Sequence, residues 1–385
     1  MGEEAPEVRG ALPAGHLVGD RYQIEGVIGD GASGIVYVAE RVGDEDDGGK
    51  RVALKVIHRH LVRDRQISRR FVREASILRK LRCPNLVPLL DFGETDDGIL
   101  YMALELVEGR ALDQLMLEGP LEIQRSVDIV RQVCAALESA HGAGIVHRDL
   151  KPGNVIIEPA GDDEPERARV LDFGMAKVLR GNGNDSLTAL TEQNMVFGTP
   201  EYMAPEQARG DEVDARCDVY AAGVMLYELL TGSVPFESST PIGMMTAHLM
   251  QEPPPPSNRA PGRRISPALE AVVLHALAKR ASKRYPSAAA LADALDRALS
   301  RPADVASTAP PPAPDEADDL ATRDTEHAMG PASTLRPAAP DASESPVSAP
   351  IAAPERPSRM WIAIAVIAAL LGIALGIIMS LMAGA

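Results

Sequence analysis

Gly29, Gly31 and Gly34 sit between two strand-patterned runs, and this placement constrains the fold more than any other feature of the chain. Ahead of them Tyr22-Gln23-Ile24-Glu25-Gly26-Val27-Ile28 alternates in polarity; behind them Ile35-Val36-Tyr37-Val38-Ala39 is β-branched and aromatic. A dinucleotide-type turn needs a helix straight after its glycines, so the strand that follows here selects a hairpin. Arg51-Val52-Ala53-Leu54-Lys55-Val56-Ile57 reads as a third strand. Phe71, Ala75, Leu78 and Leu81 then recur at helical spacing, with Glu74 on an adjacent stripe. Short strands around residues 86–90 and 99–106 complete a small sheet carrying one helix.

Beyond Gly109 the pattern turns mostly helical. Val127, Val130, Val133, Ala136 and Leu137 give residues 123–141 one apolar side. Strand-like runs, Val155-Ile156-Ile157 and Arg169-Val170-Leu171, interrupt the helices. Residues 218–230 are apolar nearly all round, as in a helix buried within a large lobe, and the prolines at 253–256 mark a loop. Residues 269–277 and 288–299 read as closing helices. The expected class is α+β, with a flexible lead at 1–19 and a folded domain at 20–300 whose lobes divide at 106/107.

The formal net charge of −16 argues against nucleic acid as a partner, because such binding needs a basic face. Much of the acidity lies in runs that read as solvated loops, at 43–49, at 161–166 and beyond residue 300. Cys83, Cys134 and Cys217 are scattered, so neither a disulfide framework nor a zinc pattern is present in the sequence, which suits a reducing compartment. The acidic start, Met1-Gly2-Glu3-Glu4, does not read as a secretory signal, and Pro6 stands where myristoylation wants Ser or Thr.

Six blocks follow one another in order. They are Gly29-Asp30-Gly31-Ala32-Ser33-Gly34-Ile35-Val36, Val52-Ala53-Leu54-Lys55, Glu74, His147-Arg148-Asp149-Leu150-Lys151-Pro152-Gly153-Asn154, Asp172-Phe173-Gly174 and Gly198-Thr199-Pro200-Glu201-Tyr202-Met203-Ala204-Pro205-Glu206. Each supplies a part that phosphoryl transfer from ATP requires. Glycines let a hairpin backbone approach phosphates, and a lysine between Leu54 and Val56 would be a poor choice for a purely structural strand. Across roughly residues 20–300 the chain resembles a eukaryotic-like bacterial serine/threonine protein kinase with a C-terminal membrane anchor.

The resemblance implies a bilobal fold that takes ATP with Mg²⁺, or Mn²⁺ in its place. It implies that Ile28, Gly29, Asp30, Gly31, Ala32, Ser33, Gly34, Ile35 and Val36 cover the nucleotide. Val36, Ala53 and Ile156 would sandwich adenine, Glu105 and Val107 would read its edge through their backbones, and Leu104 would be the gatekeeper. Lys55 would contact the α- and β-phosphates with Glu74 as its ion-pair partner. Asp149 would accept or orient the attacking hydroxyl's proton, Lys151 would neutralise charge on the transferred group, and Thr199 would bond near both. Asn154 and Asp172 would hold the metal. His147, Phe173, Leu78 and Leu89 would form an apolar column, Glu206 and Arg284 a buried ion pair, and Asp218 a brace for the catalytic loop. Arg148 would receive a phosphate on the activation loop, with Thr191 the first candidate acceptor and Thr188 the second.

Residues 301–359 are dominated by Ala, Pro, Ser and Asp and read as a disordered linker. From Trp361 to Met382 no charge occurs, and such a helix would reach roughly 33 Å. A transmembrane span at 360–382, a short outer tail at 383–385 and Arg356 and Arg359 ahead of the span would place the kinase domain on the cytoplasmic side of the cytoplasmic membrane. The expected partners are proteins with Ser or Thr acceptors, the membrane, and a second copy for trans-autophosphorylation. Two alternatives stand beside this: an inactive pseudokinase scaffold, and a kinase of small molecules.

Overall fold

The computed structural model describes residues 10–43, 49–62, 65–159, 161, 165–173 and 199–300. The chain divides into two compact units at 309/310, and all described residues belong to the first. Gly174, Thr188, Thr191, Gly198, the linker at 301–359 and the expected span at 360–382 lie outside the described residues. Among the described residues no helix is long and apolar enough to cross a membrane.

The upper lobe is an antiparallel sheet built from β1 (Leu17–Val18), β2 (Tyr22–Gly31), β3 (Gly34–Arg41), β4 (Arg51–Ile57), β5 (Leu89–Glu94) and β6 (Leu100–Glu105), in the order β1-β2-β3-β4-β6-β5. Alternation along these strands gives the sheet two apolar faces. Ile57, Leu89, Leu100 and Met102 meet Phe71 and Ala75 of α1 (Arg65–Leu78) on one face. Ile24, Ile35, Tyr37, Leu54 and Tyr101 form the other. That second face needs a cover, and residues of the expected flexible lead provide it: Ala11 and Leu12 pack there, and the Leu12 N–H donates to the Tyr37 hydroxyl at 2.9 Å. The domain therefore begins its packing before residue 20.

The expected strand at 86–90 starts later, at Leu89. Pro88 lacks an N–H for the ladder, and Leu86 and Val87 instead pair with Val170 of the lower lobe, where the Val87 N–H donates to Val170 O at 3.1 Å. The lobes are thus stitched together directly before the sheet resumes. Asn85 adds to this seam, its Nδ2 donating to Gln132 Oε1 and Ala168 O at 3.0 Å each.

The lower lobe follows: β7 (Arg110–Ala111), α2 (Leu112–Met116), α3 (Ile123–Gly142), β8 (Val155–Glu158), β9 (Arg167–Val170), α4 (Pro205–Arg209), α5 (Arg216–Thr231), α6 (Pro241–Met250), α7 (Pro256–Arg259), α8 (Pro267–Ala276) and α9 (Ala288–Ser300). Helix α5 is buried on nearly every side, as its sequence required, and ends at Gly232, whose φ of 81° favours glycine. Helix α3 packs against α5 and α9 through Val130, Val133 and Leu137. The run of prolines expected to be a loop ends in α7, since Pro256 suits the first helical position, where its missing N–H is not needed.

Glu206 of α4 and Arg284 form a bidentate ion pair at 2.6 and 2.7 Å. Both residues are buried, and the guanidinium also donates to the carbonyls of Ala278, Arg216 and Lys279 and lies over the Tyr220 ring. With every donor directed, removal of one partner leaves a buried charge alone. Arg284→Met is expected to destabilise the domain by about 3–5 kcal/mol, measurable as a lower urea midpoint at unchanged slope.

Candidate active site

Asp218, at the start of α5, organises the catalytic loop. Its carboxylate accepts from the His147 N–H at 2.7 Å, the Arg148 N–H at 2.8 Å and His141 Nε2 at 2.8 Å. Burial alone would raise this carboxyl, but the His141 hydrogen bond, the two neighbouring imidazoles and the Arg148 N–H bring it below its ordinary value. Arg148 takes a φ of 67°, which aims two successive N–H groups at one side chain. Gln207 of α4 reaches the same loop, its Nε2 donating to Arg148 O at 2.8 Å while its Oε1 caps the Ala204 N–H at 3.0 Å.

His147 passes this order onward. Its Nε2 lies 2.8 Å from Leu171 O, so it carries the proton, leaving Nδ1 to accept from the Asp149 N–H at 3.3 Å. The imidazole meets the Phe173 ring at 4.6 Å between centroids. Asp172 follows Leu171 with a φ of 62°, and its carboxylate receives Lys55 Nζ at 2.6 Å. Burial pushes the Asp172 carboxyl up, but Lys55, through charge and hydrogen bond, with His147 and Lys151 brings it below its usual value.

The Lys55–Glu74 ion pair expected from the sequence is not formed among the described residues. Lys55, 3% exposed on β4, gives its charge to Asp172 instead. Behind this lies a cavity of about 380 Å³, lined by Leu78 and Leu81 at the end of α1 and by Leu89, Met102, Leu104 and Phe173 opposite. Of the apolar column, His147 and Phe173 are in ring contact, Leu78 packs against the cluster that holds Leu89, and Leu78, Leu89 and Phe173 all line this cavity.

Below the cleft, Lys151 Nζ donates to Thr199 Oγ1 at 2.8 Å and lies 3.6 Å from Asp149 Oδ2. Asn154 donates its Nδ2 to Asp149 O at 2.7 Å, which leaves its Oδ1 available to a metal, and its own carbonyl accepts from the N–H of Leu171, the residue before Asp172, at 2.9 Å. An amide oxygen and a carboxylate suit Mg²⁺, which takes one or two protein oxygens and completes its shell with phosphate and water. The residues present therefore fit a divalent ion.

The nucleotide face is marked by burial. Val36, Ala53 and Ile156 are each half-buried while their neighbours on both sides along the strand are buried. Register sets Val36 opposite Lys55, and Ala53 opposite Leu104. Leu104, Glu105, Leu106 and Val107 are likewise half-buried at the crossing between lobes. Glu105 is further tied to the lower lobe by Arg169, which pairs with Glu105 and Glu158 at 3.2 Å each. Ile28 stands 52% exposed at the mouth.

The three glycines have different reasons. A Cβ on Gly29 would meet open space and one on Gly31 only Gly34 O at 3.7 Å, which leaves room for a ligand. Gly34 is fixed by packing: its Cβ would stand 2.1 Å from Val56 O. Asp30 pairs with Ile35 across the hairpin and so shares the Ile35 and Tyr37 face, opposite Val36. His141, Gln207 and Arg169 were not singled out from the sequence, because nothing in local spacing marks a contact with a partner tens of residues away.

The two lobes and the cleft between them define a protein kinase domain. The family model for the protein kinase domain matches residues 22–295, and the chain belongs to that family. Serine/threonine-protein kinase pkn3 of Myxococcus xanthus is 47% identical over 277 residues, covering 72% of this chain and 49% of that protein. Serine/threonine-protein kinase PknB of Mycobacterium tuberculosis is 40% identical over 274 residues, covering 70% of this chain and 41% of that protein. The chain thus spans about half or less of the length of these relatives. The crystal structure of the Mycobacterium tuberculosis PknI kinase domain matches with a TM-score of 0.58 at 28% identity, covering 75% of this chain and all of that one.

Asp218 is ionised in the folded state below the pH at which a free carboxyl protonates, so the unfolded chain takes up the proton first on acidification. The stability it supplies is present above the ordinary carboxylate value and is lost as pH falls through the depressed one. Asp218→Asn, which turns an amide N–H toward donors, is expected to cost about 1–3 kcal/mol at neutral pH and to flatten the acid limb of a melting-temperature profile.

Proposed function

We propose that this chain is an active serine/threonine protein kinase that transfers the γ-phosphate of MgATP to protein hydroxyls. One observation carries this: Lys55 and Asp172 meet at 2.6 Å across the cleft from Lys151, which contacts both Thr199 and Asp149. The family implies ATP and a divalent metal, and the relatives named above are serine/threonine kinases. Serine or threonine as acceptor comes to this chain from them.

In the proposed reaction Gly29 and Gly31 let the hairpin backbone lie over the triphosphate. Lys55 orients the α- and β-phosphates once its charge is shared with them. Asp149, held by its own N–H on His147 and by Asn154 on its carbonyl, takes the hydrogen bond of the acceptor hydroxyl and orients its oxygen toward phosphorus. Lys151 lies beside the transferred group and offsets its charge, while Thr199 holds that ammonium in place. Asn154 and Asp172 would hold Mg²⁺, which when bound shields phosphate charge. Productive closure requires Glu74 to reach Lys55, whose charge is taken by Asp172 in this structure.

Membrane attachment through residues 360–382, with the domain on the cytoplasmic side, is part of the proposal and rests on that segment's uncharged composition. So is activation by phosphate on Thr191 or Thr188, drawn to Arg148 and placed there by a second copy. The inactive scaffold has less support, since Lys55, Asp149 and Asp172 are all present and share one cleft.

Full-length protein given MgATP is expected to phosphorylate itself on Ser and Thr, while Asp149→Asn loses about 10²-fold or more of that activity without loss of folding by circular dichroism. Equal turnover by the variant would remove Asp149 from this role. Thr191→Ala is expected to lower turnover with an unchanged melting temperature, read by initial rates on a protein substrate.

A further inference from the structure

The tip of the glycine hairpin packs against little. Asp30, Gly31 and Ala32 are exposed, and the space around Gly29 is open. Its position is set by what reaches it from the end of β4. The backbone there makes one tie, the His58 N–H donating to Ser33 O at 3.2 Å. The His58 side chain makes the second: Nε2 lies 3.0 Å from Gly31 O and 3.4 Å from Asp30 Oδ1. A carbonyl can only accept, so Nε2 carries a proton in this contact.

We propose that His58 is a positioning residue that clasps the glycine hairpin through Gly31 and Asp30, and that its protonation tightens the hold on MgATP. The clasp depends on the hairpin covering the nucleotide as proposed above. Asp30 is the acid that departs from a simple glycine turn, and the geometry gives it a use. Its carboxylate lies on the Ile35 and Tyr37 face, away from the side where phosphates would sit, and within reach of His58. There a negative charge draws the imidazolium without repelling the nucleotide.

The groups facing His58 make the direction of the effect definite. His60 stacks on it at 5.3 Å between centroids with a 22° tilt, which orients the ring. Arg59, from the same turn, is engaged by Asp97 of the β5–β6 connection, and Asp97 in turn accepts from Thr95. Asp30 is thus the carboxylate in direct contact with the imidazole among the described residues. Imidazole charge changes between about pH 5 and 8. A protonated imidazole donates to Gly31 O and pairs with Asp30, whereas a neutral one keeps only the hydrogen bond to Gly31. A hairpin held near its bound position loses less freedom on binding, so the loss appears in the Michaelis constant for ATP and not in the chemical step.

The test compares full-length wild type, His58→Gln and Asp30→Asn, each with MgATP at about pH 6 and about pH 8. The γ-phosphate's own titration is common to all three and cancels in ratios to His58→Gln. Wild-type KM for ATP is expected to rise across this range by about three-fold more than that of His58→Gln, the scale of one partly exposed ion pair. Asp30→Asn should follow His58→Gln, and kcat of His58→Gln should stay within about two-fold of wild type. Three indistinguishable KM profiles, or an effect confined to kcat, would overturn the clasp while leaving the kinase assignment intact. Wild type that transfers no phosphate and binds no fluorescent ATP analogue would overturn the kinase assignment and the clasp with it.

Discussion

The carboxylate of Asp218 is the constraint on which the cleft depends. It is buried beneath the catalytic loop, and it tolerates that burial because three N–H donors and the Cys217 thiol converge on it. Two of them are consecutive backbone N–H groups, which fixes the main chain at His147 and Arg148. From there order passes through one imidazole to Leu171 O, then to Asp172, and across the cleft to Lys55. A helix in the lower lobe therefore dictates where a strand lysine of the upper lobe places its charge. Each link is either the covalent chain or a hydrogen bond whose donor or acceptor is a backbone group or a buried side chain, so little positional freedom accumulates along the way.

The upper lobe meets this frame through a few defined contacts. Arg169 and the pairing of Leu86 and Val87 with Val170 hold the crossing between lobes. At the end of helix α1, Leu78 and Leu81 share the walls of a cavity with Leu104 and Phe173. The charge of Lys55 has found Asp172, leaving Glu74 outside that pair among the described residues.

Much of this was legible in the residues. Alternation located the hairpin and the sheet, the nearly all-apolar run at 218–230 located α5, and the ordered blocks located Lys55, Asp149, Asn154 and Asp172. What escaped has a common cause. Leu12 on Tyr37, Gln207 on Arg148 and His58 on Asp30 are contacts made by single side chains between distant segments, and no periodicity encodes them. Gly34 shows a subtler failure: the residue type was expected for nearness to a ligand, whereas the crowding comes from Val56 of its own sheet. The Glu74 pairing escaped because sequence fixes which acidic partners exist and not which of them the Lys55 ammonium meets.

The segment that covers the outer face of the sheet has a further implication. Leu12 engages Tyr37, which shares its face with Ile35, the residue opposite Asp30. Trimming the chain to its first obvious strand would strip this lid and wet the back of the very hairpin that faces the cleft on its other side. Whatever binds or displaces those few leading residues would thus have a mechanical route to the phosphate-facing turn through the thickness of one sheet.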